Sequence, residues 1–104
     1  MTDDRPSYRF RSRLWLHSGQ AAWHFVTLPH DVSDEIDELT AGNRRGFGSE
    51  RVHVEIGKTT WRTSIFPDTK AESYVLPVKQ AVRSAEQLAA GDELEVGVRL
   101  ADHT

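Results

Sequence analysis

The 104-residue sequence contains no cysteine, and this absence removes several kinds of chemistry at once. Disulfide bonds, thiol nucleophiles and cysteine-ligated zinc or iron–sulfur centres are excluded. Long apolar runs are also missing. No stretch approaches the roughly 20 residues that a membrane-spanning helix needs, and the polar N-terminus has no apolar run behind it. We therefore expect a soluble cytoplasmic protein with no membrane partner, and we leave its oligomeric state open.

No large excess of charge of one sign is present either. The net charge is −3 at pH 7, so the chain generates no global field that would gather nucleic acid, which argues against such a partner. The fractions of hydrophobic residues (38%) and charged residues (28%) are those of an ordinary globular protein. The length fits one domain. We expect it to span residues 7–100, with flexible termini at 1–6 and 101–104.

Alternating apolar and polar residues over 9–17 and 23–28 predict a first β-hairpin. A type II′ turn at Gly19-Gln20 would join its strands through a two-residue loop. The resulting register brings the apolar faces of both strands together. It pairs Ser12 with Thr27, Leu14 with Phe25, Leu16 with Trp23 and, on the outer face, Trp15 with His24.

A second hairpin is predicted by the same reasoning. The alternation resumes over 52–56, and Gly57-Lys58 supplies the next turn. The hydroxyl of Thr63 then points into the interior. The register pairs Val52 with Thr63, Val54 with Trp61 and His53 with Arg62.

Two short helices complete the expected fold. An apolar stripe at helical spacing predicts the first over 31–41, with Val32, Ile36 and Leu39 facing the core. Pro77 suits the first turn of the second, which Gly91 ends. Further strands at 74–76 and 94–100 give the order β-β-α-β-β-β-α-β. We predict a mainly β fold, a small closed barrel of about six strands, because closure covers the hydrophobic face and the strand edges together. The alternative is an α+β open sheet with both helices on one face.

Several short motifs, taken together, form a specific pattern. They are Arg45-Gly-Phe-Gly-Ser49, Val52-x-Val54-x-Ile56-Gly57, Thr60-Trp61-x-Thr63-Ser64-x-Phe66-Pro67 and Tyr74-x-Leu76-Pro77-Val78-Lys79. This pattern resembles the domain of unknown function 1905 family of small bacterial and archaeal proteins, over roughly residues 8–100. The resemblance implies a small β-barrel, and it implies no particular activity.

The glycine-rich loop before the second hairpin is one candidate site. Gly46 and Gly48 can align backbone N–H groups as a nest for an anion. Arg44, Arg45 and Ser49 would add charge and a hydroxyl. The alternative is a plain connection from helix to strand, in which the glycines only permit the turn.

The second helix carries the other candidate site. Lys79 and Arg83 lie one turn apart with like charge, and a cation at the start of a helix opposes the helix dipole. Glu86 could answer Arg83, and Asp92 or Glu50 could answer Lys79. An anionic ligand would answer both cations equally well.

Three functions of different classes are compatible with these features. The leading hypothesis is a non-catalytic barrel that binds a small molecule or an anion without a cofactor. Its candidate ligand-binding residues are Arg44, Arg45, Ser49, Arg51, Thr63, Lys79 and Arg83. The second is a small enzyme of isomerase or hydrolase type, with His24 or His53 as general base, although no acid–base pair has a recognisable spacing. The third is a protein or nucleic-acid interaction module that uses the alternating Arg9, Arg11 and Arg13. No pair of histidines has the spacing of a metal site, so we expect no metal.

Overall fold

Six strands and two helices form the described part of the fold. The computed structural model describes residues 6–19, 22–40 and 48–101. The elements are β1 (Ser7–Leu16), β2 (His24–Thr27), α1 (His30–Thr40), β3 (Glu50–Ile56), β4 (Thr59–Asp68), β5 (Ser73–Pro77), α2 (Gln80–Glu86) and β6 (Glu93–Leu100). This order is the one that the alternation of the sequence predicts.

The six strands close into an antiparallel barrel in the order β1-β2-β5-β4-β3-β6. β1 is long enough to pair twice, with β6 over residues 7–13 and with β2 over residues 14–16. Closure pairs each strand with a neighbour on both sides, which removes the open edges of a flat sheet. The predicted closed barrel is confirmed, and the alternative open sheet is wrong.

Aliphatic side chains from the strands, both helices and their connections fill the barrel. Those with less than 2% exposure include Leu14, Leu28, Ile36, Ile65, Leu76, Val26, Val52, Val78, Val82 and Val96. Each such side chain contributes about 1.5–3 kcal/mol relative to an exposed position. The interior is therefore the main source of stability.

The second hairpin, β3–β4, has the predicted register. Val52 lies opposite Thr63, and Val54 lies opposite Trp61. Gly57 has a φ of 59°, as the first position of a type II′ turn requires.

The first hairpin, β1–β2, is offset by one residue from its predicted register. Leu14 lies opposite Val26, whereas a two-residue turn would have placed it opposite Phe25. The N–H of His17 donates to the C=O of Trp23 at 2.7 Å, which closes a connection longer than two residues. The predicted turn is therefore wrong.

This offset exchanges the two faces of β2. Val26 and Leu28 are buried in the core, whereas Trp23 is 52% exposed. Phe25 lies opposite Trp15 on the outer face. Both faces of β2 carry apolar residues, so the alternation alone could not distinguish them. The aliphatic set fills the interior, and the aromatic set packs outside.

Two hydroxyls that were predicted to point inward together are separated by the same offset. The hydroxyl of Ser12 donates to the C=O of Thr27 at 2.7 Å, and the Thr27 hydroxyl accepts from the indole N–H of Trp15 at 2.9 Å. The predicted pairing of Trp15 with His24 is also wrong, because His24 lies opposite Leu16.

α1 packs on the barrel through one face. Ser33, Ile36 and Thr40 are its buried residues, whereas Leu39, which was expected in the stripe, is 50% exposed. The N–H of Tyr74 donates to the hydroxyl of Ser33 at 3.0 Å. A polar contact to β5 therefore holds α1 in place together with Ile36.

α2 is shorter than the sequence predicts. Pro77 was expected to open it but is the last residue of β5, and Lys79 is still extended, with φ −70° and ψ 162°. The helix begins at Gln80 and ends where Gln87 takes a left-handed φ of 56°. Val82 is its buried residue. The helix therefore contributes little to the core.

Candidate functional site

The barrel wall has a seam where β4 separates from β5. β4 pairs with β3 over residues 59–65, but it pairs with β5 only through its last three residues. The ladder to β5 ends at the pair Phe66 and Val75. The next hydrogen-bonding position would set Pro77 opposite Ser64, and proline has no N–H to donate. Part of the β4 edge is therefore left without a neighbouring strand.

The bonds between β5 and β2 show why Pro77 has this effect. The N–H of Val78 donates to the C=O of His24 at 2.9 Å, so Val78 turns its backbone toward β2. Backbone groups of successive strand residues point in opposite directions. Val75 and Pro77 consequently turn theirs toward β4, and a missing donor at Pro77 interrupts that ladder.

A cavity of about 450 Å³ opens at this seam. Its lining includes Arg62 and Thr63 of β4, Pro77 at the end of β5 and His24 at the start of β2. Both Arg62 and Thr63 belong to the part of β4 that β5 leaves unpaired, so the cavity borders the free edge of this strand.

Three cationic side chains line the cavity: Arg62, Lys79 and Arg83. The Nε of Arg83 donates to the C=O of Val78 at 3.1 Å, which fixes its guanidinium at the seam. No Asp or Glu belongs to the described lining. Across residues 6–19, 22–40 and 48–101, no carboxylate forms an ion pair with any of the three cations.

The carboxylates that were expected to answer these cations are placed elsewhere. Glu86 accepts from the hydroxyl of Thr59 at 2.7 Å and so binds the β3–β4 turn. Asp92 accepts from the N–H of Ala89 at 2.8 Å, and Glu50 is buried in β3 with 1% exposure. The predicted pairing of these carboxylates with the seam cations is therefore wrong.

Aromatic rings gather on the outer face beside the cavity. Trp15 and Phe25 have ring centroids 5.1 Å apart, and Trp23 stacks on Phe25 at 5.9 Å with an interplanar angle of 17°. Trp23 also lines the cavity, and so does Trp61, which is partly buried against the core. The seam thus combines positive charge with two indole rings.

His24 is the one of the two predicted general bases that borders this cavity. Its Nδ1 donates to the C=O of Ala22 at 3.0 Å, and in a neutral imidazole the other ring nitrogen is then an acceptor. His53 lines a different depression, over the outer face of β3.

The cavity brings together three of the seven predicted ligand-binding residues: Thr63, Lys79 and Arg83. Arg51 lies beside it, in a neighbouring depression of about 420 Å³ that shares Thr63. Ser49, just before β3, is half-buried and lines neither of these two spaces.

The predicted anion nest cannot be compared with the seam. Arg44 and Arg45, together with Gly46, lie outside the described residues. Gly48 is described and has a φ of 87°. The nest stays a prediction.

Sequence reasoning missed Arg62, Trp23 and Trp61 as lining residues. The register of β3–β4 placed Arg62 and Thr63 on opposite faces, which is correct, but it gave no sign that one cavity reaches both. The available signal was Pro77, since a proline that follows a buried strand residue marks a position where a ladder stops.

A larger depression, of about 830 Å³, lies over the outer faces of β1, β3, β4 and β6. Arg9, Arg62 and Arg99 line it, and Arg9 forms ion pairs with Glu55 and Glu95. On the same strand Arg11 pairs with Glu93 at 3.3 Å. The β1 arginines that suggested a nucleic-acid interface are therefore interleaved with carboxylates.

Two features are absent from the described residues. No helix among them is both long and apolar enough to span a membrane. In the same ranges, no three His, Asp or Glu side chains come together as a metal site would require.

Together these features define a class of protein: a small six-stranded antiparallel barrel whose wall opens at one seam. The model of the family described as Domain of unknown function (DUF1905) matches residues 10–98, and the chain belongs to this family. The resemblance seen in the motifs is thereby confirmed. No curated protein matches the sequence.

Proposed function

We propose that this protein binds a small anionic molecule at the seam between β4 and β5 without converting it chemically. One observation carries the proposal: Arg62, Lys79 and Arg83 line a single cavity whose described lining contains no carboxylate. Like charges that share a cavity repel one another, and an anion among them would turn this repulsion into attraction.

Among the described residues, two arginines of β1 are paired, in contrast to the seam cations. Arg9 and Arg11 both form ion pairs with carboxylates of neighbouring strands. The whole chain carries a net charge of −3. The positive potential at the seam is therefore local, which suits a compact ligand better than an extended polyanion.

The side chains also indicate the chemistry of the ligand. Guanidinium and ammonium groups favour phosphate and carboxylate oxygens, which arginine can bind through two N–H groups at once. The hydroxyl of Thr63 adds a hydrogen-bonding group at the β4 edge. The cavity volume of about 450 Å³ falls within the range of about 300–1,000 Å³ that small-molecule sites occupy.

A titration with inorganic phosphate and ribose 5-phosphate, followed by calorimetry and by thermal unfolding, tests the proposal. Ionic strength is held constant with chloride, because screening alone alters Tm. We expect binding to the wild type, and binding about tenfold or more weaker in Lys79→Gln and in Arg62→Gln, since each removes a charge-assisted hydrogen bond.

Lys70→Gln is the matched control. Lys70 is exposed, lies on the β4–β5 turn and is not part of the cavity, so this variant makes the same change in net charge and should bind as the wild type does. Equal weakening in all variants, or no binding beyond the chloride reference, would overturn the proposal.

The position of His24 favours one second candidate, a small enzyme of isomerase or hydrolase type. Its acceptor nitrogen could act as a general base, and the seam cations could stabilise an oxyanion. Turnover of phosphate or carboxylate esters by the wild type that is lost in His24→Gln, with anion binding retained, would replace simple binding by catalysis. Absence of turnover together with anion binding supports the first proposal.

A further inference from the structure

A column of three aromatic rings, Trp15, Phe25 and Trp23, ends at the cavity. The rings of Trp15 and Phe25 are tilted by 35° with centroids 5.1 Å apart, and those of Phe25 and Trp23 are stacked, at 5.9 Å and 17°. Trp15 is fixed in turn, because its indole N–H donates to the hydroxyl of Thr27 at 2.9 Å. Trp23 is thus the outermost ring of a column that the sheet holds in place.

The packing of the barrel does not account for Trp23. Its side chain is 52% exposed and lies on the outer face, whereas Val26 and Leu28 of the same segment fill the core. Phe25 stacks against one face of the indole, and the residue also lines the seam cavity. A large exposed aromatic ring next to unpaired cations is typical of a binding surface rather than of a solvated one.

We propose that the ligand of the seam is a mononucleotide, whose base stacks on Trp23 and whose phosphate lies among Lys79, Arg62 and Arg83. This proposal rests on the proposed anion-binding function, and it adds that the ligand carries an aromatic base as well as a phosphate. A nucleobase would extend the column by one ring, and stacking of this kind tolerates any base because every base has a π-face.

Size and charge favour a single nucleotide over a nucleic-acid strand. The cavity of about 450 Å³ is that of a small-molecule site. A strand would need cations along its whole path. Arg51 adjoins the cavity, but Arg9 and Arg11 of β1 are paired with carboxylates. The net charge of −3 would also oppose a polyanion.

Calorimetric titrations with AMP, ribose 5-phosphate and adenosine separate the two halves of the ligand. We expect the affinity for AMP to be at least about tenfold higher than the affinity for ribose 5-phosphate, because stacking of the base adds to the binding of the phosphate. Trp23→Leu should remove this difference and leave the affinity for ribose 5-phosphate unchanged. Trp23→Phe, which keeps a smaller ring, should retain part of it.

Phe66→Leu is the matched control. Phe66 is also an exposed aromatic residue, at 43%, but it does not line the cavity. This variant should discriminate between AMP and ribose 5-phosphate as the wild type does. Circular dichroism and thermal unfolding of each variant show whether the fold is retained.

The outcomes distinguish this inference from the function on which it rests. Equal binding of AMP and ribose 5-phosphate would overturn the mononucleotide and leave the anion site standing. Absence of binding by either would overturn both. A single-stranded oligonucleotide that binds more tightly than AMP, with steep salt dependence, would overturn the mononucleotide in favour of a strand.

Discussion

At the scale of single residues, the missing N–H of Pro77 shapes the candidate site. An ordinary residue there could have continued the β4–β5 ladder beyond Phe66 and Val75. The ladder stops instead, and the exposed edge of β4 presents Arg62 and Thr63 to one cavity. Pro77 thus shapes the candidate site through a missing backbone hydrogen bond as well as through its place in the cavity lining.

The sequence alone indicated some of the residues that line the candidate site. Lys79 and Arg83 were recognisable as poorly placed cations, and both lie at the seam. The contribution of Arg62 was missed, because it depends on where the ladder between β4 and β5 stops, and the alternation of apolar residues does not show that point. Local patterns indicate which residues need a partner, whereas the partner is set by tertiary structure.

Tyr8 provides a prediction of pH dependence. Burial of its hydroxyl and, after that, the neighbouring Glu35 carboxylate raise the pKa of Tyr8 from 10.0 to about 12. Between these pH values the unfolded chain has lost the proton that the folded chain retains. The free energy of unfolding should therefore fall as pH rises from about 10 to about 12, and this contribution should not decline further above that range.

Urea unfolding at a series of alkaline pH values, with the ultraviolet absorbance of tyrosinate as a second readout, checks this. Tyr8→Phe should show a smaller loss of stability over the same interval. Glu35→Gln should lower the pKa of Tyr8 only in part, because burial remains. A wild type and a Tyr8→Phe variant with the same alkaline decline would contradict the assignment.

At the scale of elements, the two hairpins show what alternation can and cannot predict. In β3–β4 only one face is strongly apolar, and the sequence predicts the register found. In β1–β2 the second strand has Val26 and Leu28 on one face and Trp23 and Phe25 on the other. Either register of this hairpin buries apolar residues, so the length of the connection between the strands determines which register forms. That length depends on the backbone conformation of the loop.

The β3–β4 turn offers a prediction at this scale, because α2 holds it. Gly57 has a left-handed φ of 59°, and a Cβ at this position would overlap the carboxylate of Glu86. That carboxylate accepts from the N–H of Lys58 at 3.2 Å and the hydroxyl of Thr59 at 2.7 Å. Gly57→Ala should therefore cost about 1–2 kcal/mol for the backbone, and about 1 kcal/mol more for the displaced hydrogen bonds.

Gly91→Ala is the control that isolates the backbone contribution. Gly91 has a φ of 99°, and a Cβ there would meet nothing within 4 Å. By urea unfolding, the loss in Gly57→Ala should shrink by about 1 kcal/mol when the change is made in Glu86→Ala, whereas the loss in Gly91→Ala should be the same in both backgrounds. A Gly57→Ala loss that is the same in both backgrounds would show that Glu86 does not couple the turn to α2.

At the scale of the whole molecule, barrel closure was predictable and the opening in its wall was not. Six short strands with one apolar face each require closure or a second layer, whatever their partners. The seam depends on where the β4–β5 ladder stops, and neither the number of strands nor their order specifies that point. The net charge likewise argued against a site for a polyanion. It could not show that, among the described residues, the cations of β1 are paired with carboxylates whereas those at the seam are not.

The closed barrel should unfold as one unit, and Leu14 is the residue that tests this. It is fully buried at the point where β1 passes from pairing with β6 to pairing with β2. Its N–H donates to the C=O of Asp92 at 2.9 Å, and its C=O accepts from the N–H of Gly91 at 2.7 Å. Leu14→Ala should lower the free energy of unfolding by about 2–5 kcal/mol, a large part of the roughly 5–15 kcal/mol of a typical domain.

The barrel has two halves, one formed by β1, β6, β3 and β4 and the other by β1, β2, β5 and β4, and Leu14 lies where they meet on β1. The loss should therefore be the same by far-ultraviolet circular dichroism, which reports all strands, and by tryptophan fluorescence. Leu39→Ala, at a position that is 50% exposed, should change stability by no more than about 0.5 kcal/mol. If the two probes gave separate transitions in Leu14→Ala, the two halves would be unfolding independently. The seam would then be a boundary between halves, rather than an opening in a single cooperative barrel.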